Sequence, residues 1–417
     1  MKTKLSLAVA AALLAGASSA NAGIMIPAGD WTLDIGGVVN AYYTSTRQSG
    51  DFKQLGGKTL GGSNSTGSST ESNITTGLLP NYLSVSGKTR QNDLDVAFTI
   101  SINPGASTTH SGEQTGNVNQ ENRQAFLTFG DKAWGSIKLG KDLGIYASDA
   151  ILNDMTLLGV GSGAGLLAGN TTTLGRIGTG FMYADWKSQV AYSSPNWNGF
   201  SFTAGVTQGW NATNSGIGGS ASIGRSGASP AFEGKASYEW AGDFGGKVWV
   251  SGISQKVKRI NGVNDNAATP LVNEFVQGTS DRAGAWDLGA TVNVAGFGLT
   301  GYYGEGSGTG TTILLRDGYD AAGNARDSKD WYVQGTYTIP TVGTKLGLSY
   351  GKSSLDSNGA TDGVIADEYS NKMWTLGAYH PITKHLNLVA EYSDVKTKVD
   401  TAKGTSKTIA LGAILFF

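Results

Sequence analysis

Apolar and polar residues alternate with a period of two along most of this chain, up to its last residue. That pattern constrains the fold to strands. Leu94, Val96, Phe98, Ile100 and Ile102 alternate with Asp95, Ala97, Thr99 and Ser101. Phe200, Phe202, Ala204 and Val206 alternate with Ser201, Thr203, Gly205 and Thr207, and the final run is Ile409, Leu411, Ala413, Leu415 and Phe417. Successive side chains of a strand point to opposite faces, so each run is a ribbon with one greasy and one wet side. Sixteen such runs are predicted. The first eight lie at 31–45, 80–89, 93–103, 121–129, 134–141, 181–194, 200–209 and 231–240. The other eight lie at 247–258, 282–294, 298–304, 328–339, 345–352, 368–380, 386–397 and 405–417. The eight prolines (27, 80, 104, 195, 230, 270, 340, 381) fall at or outside the ends of these runs, as required of a residue that cannot donate to a ladder.

The connections alternate in length. Tight ones are expected near 90–92, 130–133, 195–199, 241–246, 295–297, 340–344 and 381–385. Long ones fall between them at 46–79, 104–120, 142–180, 210–230, 259–281, 305–327 and 353–367, with a shorter one at 398–404. In an up-and-down antiparallel sheet every second connection lies on the same rim. One rim then carries short turns and the other long polar loops, which with an even strand count is the pattern of an outer-membrane barrel. A soluble sandwich also alternates, but it requires no such asymmetry.

Composition agrees. Only 15% of residues are charged, against roughly 25% in an ordinary soluble domain. The 31 Lys+Arg balance 32 Asp+Glu, without the basic excess of a nucleic-acid binder. No cysteine is present, which removes disulfides, zinc–thiolate sites and thiol catalysis. The charge-free stretch 155–175 holds six glycines and three consecutive threonines, a poor membrane helix. Residues 1–22 read as an export signal: Lys2 and Lys4, the apolar run 5–16, then Ala20-Asn21-Ala22 as a small-x-small cleavage site. Residues 23–417 are left as one transmembrane barrel domain.

Lipid offers backbone groups no hydrogen bonds, so only helices or an edge-free sheet cross it. A sixteen-stranded barrel is too wide for inward side chains to fill, and the inward set here is rich in Ser, Thr, Asn, Asp and Gly. Thirteen aromatic residues (Trp31, Tyr43, Trp134, Trp186, Trp197, Phe200, Trp240, Trp249, Trp286, Trp331, Tyr350, Trp374 and Tyr392) sit nearer strand ends than centres, the placement of interfacial belts. The longest connection, 142–180, mixes apolar Ile145, Tyr146, Ile151, Leu152, Met155, Leu157 and Leu158 with Asp149 and Asp154. Folding into the lumen would bury the former and wet the latter; packing on the surface or against another subunit also fits.

Enzymatic chemistry finds no constellation. The three histidines, His110, His380 and His385, have no triad partner beside them. Glycines 159, 161, 163 and 165 lack the Lys-Ser/Thr of a phosphate loop. Metal-ligand spacing is absent, and neither a cofactor nor a nucleic-acid partner is expected.

Four stretches carry a family resemblance: Asn122-Arg123-Gln124-Ala125-Phe126, Lys138-Leu139-Gly140-Lys141-Asp142-Leu143-Gly144, Val190-Ala191-Tyr192-Ser193-Ser194-Pro195 leading to Asn198-Gly199-Phe200, and the terminal Phe417. They resemble the fourth strand, the strand entering the constriction loop, the sixth-to-seventh hairpin and the last-strand assembly signal of the Gram-negative general porins. Two departures stand out: Lys141 replaces the usual Arg closing the fifth strand, and the loop has no Pro-Glu-Phe-Gly element. The resemblance implies a homotrimer in the outer membrane, in contact with its lipid and lipopolysaccharide. Each subunit would pass small hydrophilic solutes and ions through an opening narrowed by the third long loop, acids on that loop facing bases on the wall. The loop candidates are Asp142, Asp149 and Asp154. The wall candidates are Lys88 and Arg90, which share the parity of Ser84 and Ser86, Lys138, which shares that of Ser136, and Arg123, whose face the alternation leaves open. By parity Asp34, Asn40 and Tyr42 line the lumen. A substrate-specific channel for a sugar or anion, or a loop-borne adhesin or receptor, are the alternatives.

Overall fold

The computed structural model describes residues 23–55, 69–106, 120–162, 172–211, 229–260, 279–312, 315–320, 323–359, 362 and 365–417. The described residues include nineteen strands in one antiparallel sheet. In chain order the first ten are β1 (Ile24–Ala28), β2 (Trp31–Gly50), β3 (Thr70–Thr75), β4 (Tyr82–Gln91), β5 (Leu94–Pro104), β6 (Gln120–Glu121), β7 (Ala125–Asp131), β8 (Gly135–Leu143), β9 (Trp186–Ser193) and β10 (Phe200–Thr207). They continue as β11 (Ala231–Trp240), β12 (Phe244–Ile260), β13 (Thr279–Val294), β14 (Phe297–Ser307), β15 (Asp327–Thr338), β16 (Lys345–Asp356), β17 (Glu368–Pro381), β18 (Leu386–Val399) and β19 (Ala402–Phe416).

Sixteen of these close a barrel. Each pairs with its successor, and β19 returns to β2 from Gly404↔Gly50 to Phe416↔Val38. Closure leaves no edge in lipid. Phe417 finishes the seam: Gly37 N–H donates to its carbonyl at 2.8 Å and its own N–H donates to Gly37 at 3.1 Å.

The three extra segments fill gaps in the wall. β1 continues the line of β19 along the first residues of β2, and its Pro27 fits there because β1 pairs only with β2 among the described residues. β3 extends the line of β4 beside Tyr42–Arg47. The tiny β6 extends that of β7 beside Asn103 and Pro104. The second strand, expected over 80–89, starts at Tyr82, and β3 lies inside the stretch 46–79 expected as a loop, with 76–81 between them; the run expected over 121–129 is interrupted at 122–124. The short connections lie on one rim, as expected. At 92–93 Asn92 and Asp93 both have positive φ (48° and 62°), the conformation that matches strand twist in a two-residue hairpin. On the opposite rim the last connection is tighter than expected, since pairing runs to Val399↔Ala402.

Outward faces are apolar. Leu127, Leu288, Leu348, Leu376 and Leu411 are all exposed, while their strand neighbours Ser349, Thr375 and Thr408 point inward and are buried. In water this belt would be a vast apolar patch; against acyl chains it carries no penalty. An aromatic girdle crosses six strands near the loop rim. Trp286–Tyr303, Trp331–Tyr350 and Trp374–Tyr392 have ring centroids 5.7, 5.6 and 5.1 Å apart. The pairs join into a ladder through the registers Tyr303↔Trp331 and Tyr350↔Trp374. Trp31–Phe98, Tyr238–Trp240 and Phe297–Tyr337 form contacts near the turn rim. Two expected belt residues lie elsewhere. Trp249 faces inward and is buried, because its β12 parity is that of Ser251. Trp186 packs on the interior cluster under Arg123.

Candidate pore constriction

The described parts of the third long connection, L3 (144–162 and 172–185), leave β8, enter the lumen and return to β9. Within it lie a helical turn at Ser148–Leu152 and 3-10 turns at Met155–Leu158 and Ile177–Thr179. Its apolar side chains Ala150, Ile151, Met155, Leu157, Val160, Ile177 and Phe181 join inward residues of distant strands, including Tyr42, Trp249, Tyr302, Tyr332, Tyr379 and Ala410, in one buried cluster. Packing chooses the lumen over the surface: these residues are too apolar to stay wet, and only the inner wall offers them partners.

Polar groups of the wall hold the loop backbone. Glu233 of β11 accepts from the N–H groups of Ile145 (2.8 Å) and Tyr146 (2.9 Å), from Lys187 Nζ (2.6 Å) and from Thr207 Oγ1 (2.7 Å). Glu391 of β18 accepts from the N–H groups of Val160 (2.8 Å) and Gly161 (2.7 Å), and from the Tyr379 hydroxyl (2.6 Å). Gln334 Oε1 accepts from Met155 N–H at 2.9 Å, and the Tyr332 hydroxyl donates to Ala150 O at 2.8 Å. Near the end of the loop, Asp330 Oδ2 accepts from Met182 N–H at 3.0 Å. Buried N–H groups need acceptors, and L3, lacking a ladder of its own, borrows them from the barrel.

The interrupting segment 76–81 also turns inward and docks on L3. Leu78 N–H donates to Gly159 O (2.8 Å), Leu79 N–H to Leu157 O (3.3 Å), and Thr173 N–H to Gly77 O (3.2 Å). Asn40 braces this segment: its Nδ2 donates to Leu79 O at 2.8 Å, and its Oδ1 accepts from Gly77 N–H at 2.9 Å. The Tyr42 hydroxyl donates to Leu158 O at 2.7 Å. Asn40 and Tyr42 therefore face inward but are covered by the inserted chain.

The sequence candidates fall into three groups. The two loop carboxylates expected to turn to water are instead buried, because the wall and the loop itself supply their partners: Asp149 is gripped by two lysines, with Oδ1 2.6 Å from Lys247 Nζ and Oδ2 3.1 Å from Lys235 Nζ. Burial opposes its charge, but the two ammonium groups outweigh that and hold its carboxyl below the usual carboxylate range. Asp154 is also buried; it caps the following turn, accepting from Thr156 N–H (3.0 Å) and Thr156 Oγ1 (2.8 Å). Burial pushes its carboxyl up despite Arg176 nearby.

The second group lies where L3 leaves and rejoins the wall. Asp142, inward on β8, pairs with Lys138 and accepts from Gln124 Nε2 at 3.0 Å. Lys138 stands 4.8 Å over the Phe126 ring. Arg123 points inward because the break at 122–124 shifts parity. Its Nε donates to Glu121 Oε2 at 2.8 Å, and its guanidinium lies 5.6 Å from the Trp186 ring centroid. The third group lies towards the turn rim, away from L3. Lys88 sits opposite Thr32 and Ala97, diagonal to Asp34. Arg90 bonds Asp95 and Asp131, each at 2.9 Å, at the very end of β4.

Alternation alone did not single out Glu233, Glu391, Lys187, Lys235 and Lys247, although all five are charges at inward parity within strand runs. That was the available signal.

Comparison with known proteins agrees with this geometry. A family profile described as Gram-negative porin matches residues 7–400. A search of curated protein sequences finds no match. Among solved structures, the outer-membrane channel DcaP of Acinetobacter baumannii superposes with a TM-score of 0.67 at 16% identity, covering 95% of this chain and 100% of that one. An anion-selective porin from Comamonas acidovorans gives 0.59 at 14% identity, covering 93% and 100%. In-vitro folded OmpT of Vibrio cholerae, in its trimer form, gives 0.56 at 13% identity, covering 93% and 99%. A closed sixteen-stranded barrel with a lipid-facing exterior, an inserted third loop and a profile match over nearly the whole chain leads to one assignment: the chain belongs to the Gram-negative porin family and is an outer-membrane channel for passive diffusion.

Proposed function

We propose that the channel is a general one, passing small hydrophilic solutes and ions along the side of the lumen that L3 leaves uncovered. One observation carries this reading. L3 is moored to β11, β15 and β18, while the inward faces of β4, β7 and β10 present Ser86, Thr128, Ser201 and Thr203, small hydroxyl side chains that are not buried and suit a wet wall. Selectivity at such a constriction follows from its radius and local charge sign. In this reading Lys235 and Lys247 around Asp149, Lys138 beside Asp142, and Arg123 set that charge, with Lys88, Arg90 and Asp34 tuning the periplasmic vestibule.

The reading further includes removal of residues 1–22 on export, contact with outer-membrane lipid and lipopolysaccharide, and a homotrimer, as in the trimer form of the Vibrio cholerae OmpT relative. It involves no catalytic step and no cofactor. Planar-bilayer recording tests it: large, weakly voltage-dependent steps in groups of three are expected. Absence of conductance would reject the channel reading, while saturable block by one sugar or anion would point to a substrate-specific channel instead.

A further inference from the structure

The outer face of the barrel carries a row of like charges that the fold itself leaves unanswered. Outward positions on β16 and β17 form a graded series of Cα partners. Leu348 pairs with Leu376, both exposed, then Tyr350 with Trp374, then Lys352 with Lys372. On β18 Lys396 pairs with Lys372, so three lysines stand abreast on successive strands. One outward position nearer the loop rim, Lys398 and Lys403 are paired as well.

Side chains directly opposite on neighbouring strands have their Cβ atoms only about 5 Å apart, and like charges there oppose pairing. Lys352 finds relief in Glu368, and Lys398 in Asp367 at 3.0 Å. Among the described residues Lys372 and Lys396 meet no carboxylate, and both are exposed. Their height on the wall is informative. Lys352 and Lys372 stand one outward position beyond Tyr350 and Trp374 on the loop-rim side, roughly 7 Å along the strand. Aromatic girdles mark the headgroup level, so the three ammonium groups lie among the headgroups of the outer leaflet.

We propose that Lys352, Lys372 and Lys396 form a docking site for lipopolysaccharide, holding its phosphates while its acyl chains lie along Leu348 and Leu376. Two features favour this occupant. The order aliphatic, aromatic, basic matches an amphiphile, whereas a free phosphate would leave the lower two rows unused. Three lysines abreast span about 10 Å, so a glycolipid with several phosphates engages the row more fully than a phospholipid with one. Ammonium groups give phosphate oxygens charge-assisted hydrogen bonds, and an anion between two lysines turns their repulsion into attraction. The site rests on the lipopolysaccharide contact proposed above and localises it to three strands.

Titration of the refolded protein in detergent with fluorescent rough lipopolysaccharide tests the site, with single-channel conductance recorded from the same samples. Lys372→Gln/Lys396→Gln should bind at least about tenfold more weakly than the parent. Dephosphorylated lipopolysaccharide should bind the parent with a similar loss, and inorganic phosphate and phosphatidylglycerol should compete poorly. Lys132→Gln/Lys384→Gln removes the same charge from exposed positions on the turn rim and should bind as the parent does. Absence of saturable binding to the parent, unchanged affinity in the β17–β18 variant, or an equal loss in the turn-rim variant would overturn the proposal. So would equal competition by phosphatidylglycerol, which would make the occupant a phospholipid, or by inorganic phosphate, which would make it a free anion. Because the replaced lysines face away from the lumen, conductance should be the same in all three proteins. Failed binding with normal channels would therefore sink the docking site alone, whereas a parent without conductance would sink the channel reading.

Discussion

Glu233 and Glu391 do the same task at two places on L3, each accepting from two consecutive backbone N–H groups, yet their surroundings differ. Glu233 also contacts Lys187, which is itself buried and lies 3.3 Å from the Trp210 ring centroid. Glu391 adds only the Tyr379 hydroxyl, with Lys345 standing off over the Tyr379 ring at 4.9 Å. A buried carboxylate can thus be held by a contacting counter-charge or by neutral donors alone. In the first arrangement loss of the acid removes the counter-charge in contact with a buried lysine; in the second, Lys345 and the buried Arg176 lose only a longer-range attraction.

That difference sets the order of expected effects. Glu233→Gln strands Lys187 without a counter-charge and should cost about 3–5 kcal/mol, read as a lowered urea midpoint of the folded barrel and noisier open-channel current. Glu391→Gln keeps an acceptor for the loop N–H groups and should cost only about 1–3 kcal/mol in the same assay. Equal losses for the two variants would break the comparison. Asp154→Ala removes both the cap on the following turn and the main counter-charge of the buried Arg176, so it should cost more than the roughly 1 kcal/mol of a cap alone, in the same assay.

Asp149 sharpens the contrast because it has two lysines where Glu233 has one. Asp149→Asn should release both and move the reversal potential in a salt gradient towards anion preference; an unchanged potential would take the trio out of the narrow section. Its pH dependence should be the smallest effect. A carboxyl held below its ordinary value keeps its contribution at neutral pH and loses it only as pH falls through the depressed value. Selectivity should therefore stay flat from pH 7 to 5 and change only below about 3.9, the usual aspartate value. A change starting at higher pH would mean that the lysines do not grip Asp149.

Much of the barrel was legible in the sequence. Alternation located the sixteen wall strands, the lengths of the connections separated the two rims, and proline positions marked strand ends. The same alternation failed where the backbone breaks. At 122–124 the parity slips, so both Arg123 and Gln124 face inward. At 76–81 the chain leaves the wall to dock on L3. The candidate site was legible only as a list of charges. Lys138 and Asp142 are four residues apart on one strand, so a local reading can pair them. Asp149 meets Lys247 across 98 residues and Glu391 meets Val160 across 231, separations that no local pattern encodes.

By itself, then, the sequence determined a two-faced ribbon of even strand number whose greasy side must meet lipid, because side-chain alternation and backbone hydrogen bonding are local properties of every strand. Only the tertiary structure decided which inward charges meet. Closing the barrel sets residues far apart in the chain across a lumen narrow enough for L3 to span. There burial demands a partner for every charge and every N–H, and the partner that satisfies it is whichever group the opposite wall presents.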